Sequence, residues 1–301
     1  MHRKPHFVIY SFTHDETSGG TIALHLLCER LRQMGERALI WPVGKPPHRF
    51  PRDLRSLKAH IRYQRQRRNG RPFDTGPFAN PVATLADLDG AIVVYPEVIS
   101  GNPLRSRSVV RWFLHRPGHH TGQTGYGPGE LYFFYQDAFN DPAINLDPDS
   151  RLTLTYLNPA YANRNPGPRD GICCLIRKGK DRVTAHDLEG KTVVDDMTHA
   201  EMAAAFNQHE YLHSFDTYSM YSVFAAMCGC VPVIEPMPGV SREQWFPNEA
   251  DRYGLAYGWD DVAWARETQG LLLERMADDR HAEDRLLARF VAKCQAFFGR
   301  A

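Results

Sequence analysis

The residues best equipped for chemistry fall in two stretches of the second half of the chain. One is Arg177-Lys178-Gly179-Lys180, directly after the apolar run Ile172-Cys173-Cys174-Leu175-Ile176. The other spans 211–235. It passes from a short apolar run through Asp216-Thr217-Tyr218-Ser219 into a helix-like stretch of small and apolar residues, then through Gly229-Cys230 into Val231-Pro232-Val233-Ile234. A strand–turn–helix–strand unit aims a helix N-terminus beyond the strand ends, where N–H groups and the positive end of the helix dipole attract an anion. Asp216 to Ser219 supplies a cap and hydroxyl donors at that spot. Arg177, with Lys178 or Lys180, supplies cations at the ligand edge of a parallel sheet. Together these groups can hold a diphosphate without a metal ion. A plain capping turn and a solvated basic loop account for the same residue types.

The first half offers less. Ser18-Gly19-Gly20 lets backbone approach a ligand at the start of a helix, or simply makes a tight strand-to-helix turn. There is no full G-x-G-x-x-G and no Walker lysine, which speaks against a dinucleotide-binding oxidoreductase and a P-loop enzyme. His14, Asp15 and Glu16 sit in the loop before Ser18. His115, His119 and His120 surround Pro117-Gly118, but a metal centre needs three or four converging ligands. Side chains of the adjacent His119 and His120 are expected to diverge, so no metal is assigned. Two acidic pairs could hold a divalent cation. Asp147-Pro148-Asp149 reads as a turn, and Asp195-Asp196 precedes Thr198, a helix-cap residue.

These groups need a frame. The chain of 301 residues is long enough for two domains of about 150 residues each. Its 43% hydrophobic and 24% charged residues are ordinary for a globular protein, and the net charge of +1 argues against a dedicated nucleic-acid binder. No apolar run reaches the roughly 20 residues of a membrane span. The N-terminus lacks the apolar core of a signal peptide, so the cytoplasm, or the inner face of its membrane, is the expected address. The six cysteines show no C-x-x-C spacing and read as buried thiols. Strands are expected at 7–12, 38–41, 91–95, 130–135, 151–157, 171–176, 191–195, 211–215 and 231–234. Helices are expected from Ile22 to Met34 and at 103–115, 198–208, 219–228, 261–277 and 281–298. The alternation favours parallel sheets. A Pro/Asn-rich linker at 159–170 divides it. The expected fold is α/β, two Rossmann-like domains facing across a cleft, with domains at 1–165 and 166–301. No internal sequence repeat is visible.

The order and spacing of several short motifs resemble bacterial GT-B-type glycosyltransferases of surface polysaccharide and glycolipid synthesis. They are Ser18-Gly19-Gly20 with Leu24-His25-Leu26-Leu27-Cys28 and Gly35; Tyr95-Pro96-Glu97-Val98 with Gly101-Asn102-Pro103-Leu104; and Val109-Val110-Arg111-Trp112-Phe113-Leu114 before Pro117-Gly118. In the second half they are Asp216-Thr217-Tyr218 with 225–233, and Gly254-Leu255-Ala256-Tyr257-Gly258. The resemblance covers about 7–266. It implies transfer of a sugar from a nucleotide-sugar donor to a saccharide or lipid-linked acceptor, with no cofactor and no metal. The first domain would bind acceptor and the second the donor, with the last helix crossing back to the first domain. It implies donor contacts from Gly19, Gly20, Arg177, Lys178, Lys180, Asp216, Thr217, Tyr218, Ser219, Tyr257 and Gly258. An inverting member needs a proton acceptor, for which Asp15, then Glu16, is placed best; a retaining one needs none. Many retaining members hold the donor ribose with a glutamate where this chain has Phe224 or Ala225, so that contact is not carried over. Two other readings stand beside this one: a non-catalytic two-lobed nucleotide- or sugar-binding protein, and a metal-dependent transferase using Asp195 and Asp196.

The span 52–71 carries eight Lys/Arg and one acid, Asp53, with Leu54, Leu57 and Ile61 at helical spacing. Such a helix can dock on anionic lipid or grip an acidic acceptor. A solvated helix with its apolar face packed on the first domain fits the pattern too.

Overall fold

A computed structural model describes residues 5–16, 18–69 and 72–299. Thr17 and Arg71, the end of the basic span, lie outside the described residues. The chain divides into two compact units, 1–156 with 281–301, and 157–280. The first alternates β1 (His6–Ser11), α1 (Gly19–Gln33), β2 (Ala38–Pro42), α2 (Leu54–Arg68), β3 (Ala91–Pro96), β4 (Ser108–Phe113) and β5 (Leu131–Phe134). The second contains β6 (Ile172–Leu175), α3 (Ala185–Leu188), β7 (Thr192–Val193), α4 (His199–Gln208), β8 (Tyr211–Ser214), α5 (Met220–Met227), β9 (Val231–Ile234), α6 (Arg242–Trp245) and β10 (Ala256–Tyr257). Helix α7 (Val262–Phe298) ends the described chain.

Each unit is built on one five-stranded sheet, ordered β2-β1-β3-β4-β5 in the first and β10-β9-β8-β6-β7 in the second. Every strand pairing is parallel. Numbered from its own first strand, each sheet reads 2-1-3-4-5, so two stretches without sequence similarity share one topology. The fold is α/β with two Rossmann-like units.

The strands are apolar throughout because parallel sheets are covered on both faces. Every residue of β1 and β3 is buried. On one face of the first sheet, Phe7, Ile9, Ile92, Val94 and Trp112 pack with Leu24, Leu27 and Leu31 of α1 and with Leu287, Phe290 and Cys294 of α7. On the other, Val8, Tyr10, Val93 and Tyr95 meet Trp41 and Leu104. In the second unit Cys173, Leu175 and Leu212 pack with Met202, Phe206, Phe224 and Ala225. All six cysteines are free and buried. Burial pushes the thiols of Cys174 and Cys228 up to about 11 and that of Cys28 up to about 12.

Three expectations are corrected. The helix expected at 103–115 is absent; Ser108–Phe113 is the parallel strand β4. Its Val, Trp and Phe suit a strand buried on both faces, and the polar Arg111 in the run owes its place to a buried ion pair described below. The strand expected at 151–157 reduces to a single bridge between Arg151 and Phe134. The helices expected at 261–277 and 281–298 are one helix of 37 residues. The compact units divide between Tyr156 and Leu157, and Tyr161 stacks on Phe224 at 4.3 Å within the second core. The same division assigns 281–301 to the first unit, where Leu287, Phe290 and Cys294 fill the core.

Candidate functional site

In an open parallel sheet the crevice lies beyond the carboxyl ends of the two strands whose connections leave in opposite directions. In a 2-1-3-4-5 sheet these are the first and third strands. In the second unit they are β6 and β8, and they are followed by 177–182 and 215–219, the segments singled out in the sequence.

Arg177–Arg182 forms a 3-10 helix. Asp195, just past β7, fixes its start: its two carboxylate oxygens accept the N–H groups of Ile176 at 2.8 Å and Arg177 at 2.6 Å. Arg177 sits in the left-handed region, φ 37°, a cost of about 1–3 kcal/mol that these charge-assisted bonds offset. The Arg177 guanidinium lies over the Tyr221 ring, 4.3 Å from its centroid, in the first turn of α5. Gly179 lies against Phe215 so closely that a β-carbon would come within 2.5 Å of the Phe215 β-carbon. Arg182 ties the two segments by donating to the Phe215 carbonyl, to Thr217 Oγ1 at 2.6 Å and to the Glu235 carbonyl at 3.1 Å. Lys178 and Lys180 are exposed.

Past β8, Asp216 and Thr217 are buried and Tyr218 is exposed. The Thr217 carbonyl accepts Trp245 Nε1–H at 3.0 Å, and the Asp216 carbonyl accepts the Ser214 hydroxyl at 3.0 Å. Ser219 is the cap of α5, its Oγ accepting Tyr221 N–H at 3.2 Å. The structure thus brings Arg177, Gly179, Asp216, Thr217 and Ser219 together beyond the carboxyl ends of β6 and β8. It gives the crevice a helix N-terminus and a cation, the elements an oxyanion requires. Tyr257 is the last residue of β10, beside β9, and Gly258 follows it. The Tyr257 hydroxyl accepts Met237 N–H at 2.9 Å and donates to the Val240 carbonyl at 3.1 Å, so it is committed to its own loop. Gly258 N–H donates to the Ile234 carbonyl at 2.9 Å. Asp196 is exposed.

In the first unit the corresponding strands are β1 and β3. A cavity of about 480 Å³ opens there, lined by Gly19, Gly20, Glu97, Leu114, His115 and His120 among others. Ser18 caps α1 above it, Oγ accepting Thr21 N–H at 3.4 Å. Glu97 is the carboxylate in this lining. Its Oε2 accepts Leu114 N–H at 2.9 Å, and burial raises its pKa above the usual carboxylate range. Asp15 and Glu16 are exposed in the preceding loop, outside the lining. The Asp15 carbonyl accepts Ser18 N–H at 3.1 Å.

The loops that carry Glu97 are pinned by Arg111, which is fully buried on β4. It forms a fork on Glu130 at 2.9 and 2.8 Å and donates to the carbonyls of Ile99 at 2.5 Å and Gly101 at 2.9 Å. The Tyr95 and Tyr126 rings flank the guanidinium at 5.1 and 4.6 Å. Sequence reasoning assigned no role to Glu97, Arg111, Glu130 or Arg182. For Glu97 a signal existed, an acid at the carboxyl end of an apolar strand. For the others none did, because their partners are remote in sequence.

The three histidines depart from expectation. Their rings converge: His115 and His119 stack with centroids 4.1 Å apart, and His120 stands 4.8 Å from each. The turn at Pro117-Gly118, closed by His119 N–H on the Arg116 carbonyl at 3.1 Å, folds the adjacent pair back over His115. Asp147 is structural, its Oδ2 accepting Lys293 Nζ at 2.6 Å and its Oδ1 accepting Asp149 N–H at 2.9 Å. The apolar residues of α2 are not packed away: Leu54, Leu57 and Ile61 are 78%, 40% and 44% exposed, and the preceding Phe50 is 71% exposed.

No family model and no curated protein matches this chain. Among solved structures, the chain is similar to CalG4, the calicheamicin glycosyltransferase, at 12% identity and a TM-score of 0.36, over 99% of this chain and 100% of that one. It is similar to MurG of Acinetobacter baumannii at 12% identity and a TM-score of 0.28, over 97% of this chain and 95% of that one.

Proposed function

We propose that this protein is a glycosyltransferase that moves a sugar from a nucleotide-sugar donor to a saccharide or lipid-linked acceptor, with no metal ion at the diphosphate. The observation that carries this reading is the meeting of Arg177 and the N-terminus of α5 at the carboxyl ends of β6 and β8. Negative charge builds on the leaving diphosphate in the transition state, and preorganised donors and cations aimed at it are usually the largest catalytic contribution. Arg177, Lys178 and Lys180 supply charge, and Tyr218 and Ser219 supply backbone or hydroxyl donors. Asp216, Thr217, Asp195 and Arg182 hold the crevice in shape.

The first unit takes the acceptor in the cavity beside Gly19 and Gly20. Three carboxylates compete to accept its proton: Asp15, Glu16 beside it, and Glu97. The raised pKa of Glu97 suits that part better, since a base works best when its pKa approaches the working pH. Exposed Phe50, Leu54, Leu57 and Ile61, with Arg62 and Arg65 on the same helix, favour contact with an anionic membrane face, where a lipid-linked acceptor would reside.

Calorimetry with UDP, GDP and CMP sugars, followed by transfer and hydrolysis assays, tests the proposal. Arg177→Ala and Lys180→Ala should each weaken diphosphate binding by about 1–3 kcal/mol, the scale of a lost charged hydrogen bond. Unchanged affinity in both removes the phosphate role. Binding without turnover, even with acceptor lipid present, identifies a binding protein instead.

A further inference from the structure

We propose that His115, His119 and His120 form a binding site for a borderline-soft divalent cation of the Zn²⁺ class, with a fourth coordination position open to water or to an oxygen of a ligand in the adjoining cavity. Among the described residues, these are the three His, Cys, Asp or Glu side chains placed to share an ion, with one ligand atom from each within 4.8 Å of the others. A tetrahedral ion with metal–nitrogen bonds of about 2.0–2.1 Å needs nitrogens about 3.4 Å apart. His119 and His120 are exposed, so small side-chain rotations close that gap without disturbing packing.

The local backbone is built to bring the rings together. Gly118 takes φ 78°, which a residue with a β-carbon adopts reluctantly, and Gly122 N–H bonds back to the Gly118 carbonyl at 2.7 Å. Phe139 stacks on His115 at 4.8 Å. His115 Nδ1 accepts Arg116 N–H at 2.8 Å, an exposed contact that water can replace when the ring turns to a metal.

The donor set selects the ion. Imidazole suits Zn²⁺, Cu²⁺ and Ni²⁺, whereas Mg²⁺ and Ca²⁺ require oxygen ligands. Three protein ligands leave a tetrahedral ion one open position, as in catalytic zinc centres. His115 and His120 line the same cavity as Gly19, Gly20 and Glu97, so a cation here can anchor a hydroxyl, carboxylate or phosphate oxygen of whatever occupies it. The site belongs to the first unit and takes no part in the diphosphate chemistry assigned to the second.

The whole chain, stripped with EDTA and desalted, is titrated with ZnCl₂ by calorimetry and with Co²⁺ by visible spectroscopy. One saturable ion is expected, with a nitrogen-ligated Co²⁺ spectrum that azide shifts by entering the open position. His119→Ala and His120→Ala should each weaken Zn²⁺ binding by more than the roughly 10–100-fold that loss of an outer-shell partner costs. His281→Ala, an exposed histidine of α7, should bind as the parent does. Absence of saturable binding, or unchanged affinity in the His119→Ala/His120→Ala double variant with its melting temperature intact, overturns the site. A Co²⁺ spectrum indifferent to azide overturns the open position.

Discussion

Gly179 offers the most direct test of how the second crevice is assembled. An added β-carbon would stand 2.5 Å from the Phe215 β-carbon, where ordinary contact begins at 3.4 Å, and it would meet the Phe215 carbonyl as well. The overlap is about 0.9 Å, and a carbonyl at the end of a central strand cannot rotate away as a flexible side chain can. The 177–182 segment must therefore lift off β8, stretching the bonds from Arg182 to Phe215 and Thr217. Overpacking of this kind costs about 1–3 kcal/mol, set against a helix-propensity gain of at most about 1 kcal/mol. Gly179→Ala should thus destabilise the second unit by about 1–2 kcal/mol, lowering its melting temperature by about 2–4 °C per kcal/mol. Gly270→Ala is the matched control. Gly270 lies inside α7, and a β-carbon added there would meet nothing within 4 Å, so alanine at that position should stabilise by about 0.5–1 kcal/mol. Thermal melts of both variants beside the parent decide the matter. A Gly179→Ala protein that melts with or above the parent would refute the close-approach argument. One that melts lower yet binds nucleotide diphosphate undiminished would separate the segment from the ligand site.

Three further outcomes are expected. Burial raises the folded-state pKa of Glu97, so its contribution to stability is complete below the unfolded value and is lost as pH rises through the folded one. Glu97→Gln should match the parent in melting temperature near about pH 4 and exceed it near about pH 8; a difference that does not change with pH would count against this. Arg111→Met strands the Glu130 carboxylate and should cost about 3–5 kcal/mol in urea denaturation, with much of the loss recovered in Arg111→Met/Glu130→Met; a double variant no better than the single would contradict the pairing. Arg62→Gln/Arg65→Gln should weaken co-sedimentation with anionic vesicles by about 1 kcal/mol per charge, and equal binding to neutral vesicles would argue against charge-driven docking.

The α/β architecture was legible because central parallel strands are uninterrupted apolar runs, as 91–95 and 231–234 are. That 177–182 and 215–219 meet was legible for the same reason: a strand followed by cations, and a strand followed by a capped helix, converge where their strands are neighbours. β4 was misread because its single arginine broke the apolar run into a helical spacing. Only the partner Glu130, 19 residues on, explains a charge at that depth. The histidine cluster was missed because adjacent residues point apart in extended chain but not in a tight turn, and spacing alone does not reveal the turn. Glu97 could have been assigned a role from its position after β3, whereas Arg182 and Asp195 act mainly through backbone groups that no side-chain pattern announces.

The distribution of sulfur has a practical consequence. Cys28 and Cys294 sit in the core of the first unit, and Cys228 and Cys230 in that of the second. A thiol that is both enclosed and hard to ionise reacts with disulfide reagents only when its surroundings open. Labelling rates resolved by peptide mapping would therefore clock the opening of each half separately, with no engineered reporter, and would show which half yields first when ligand is withdrawn.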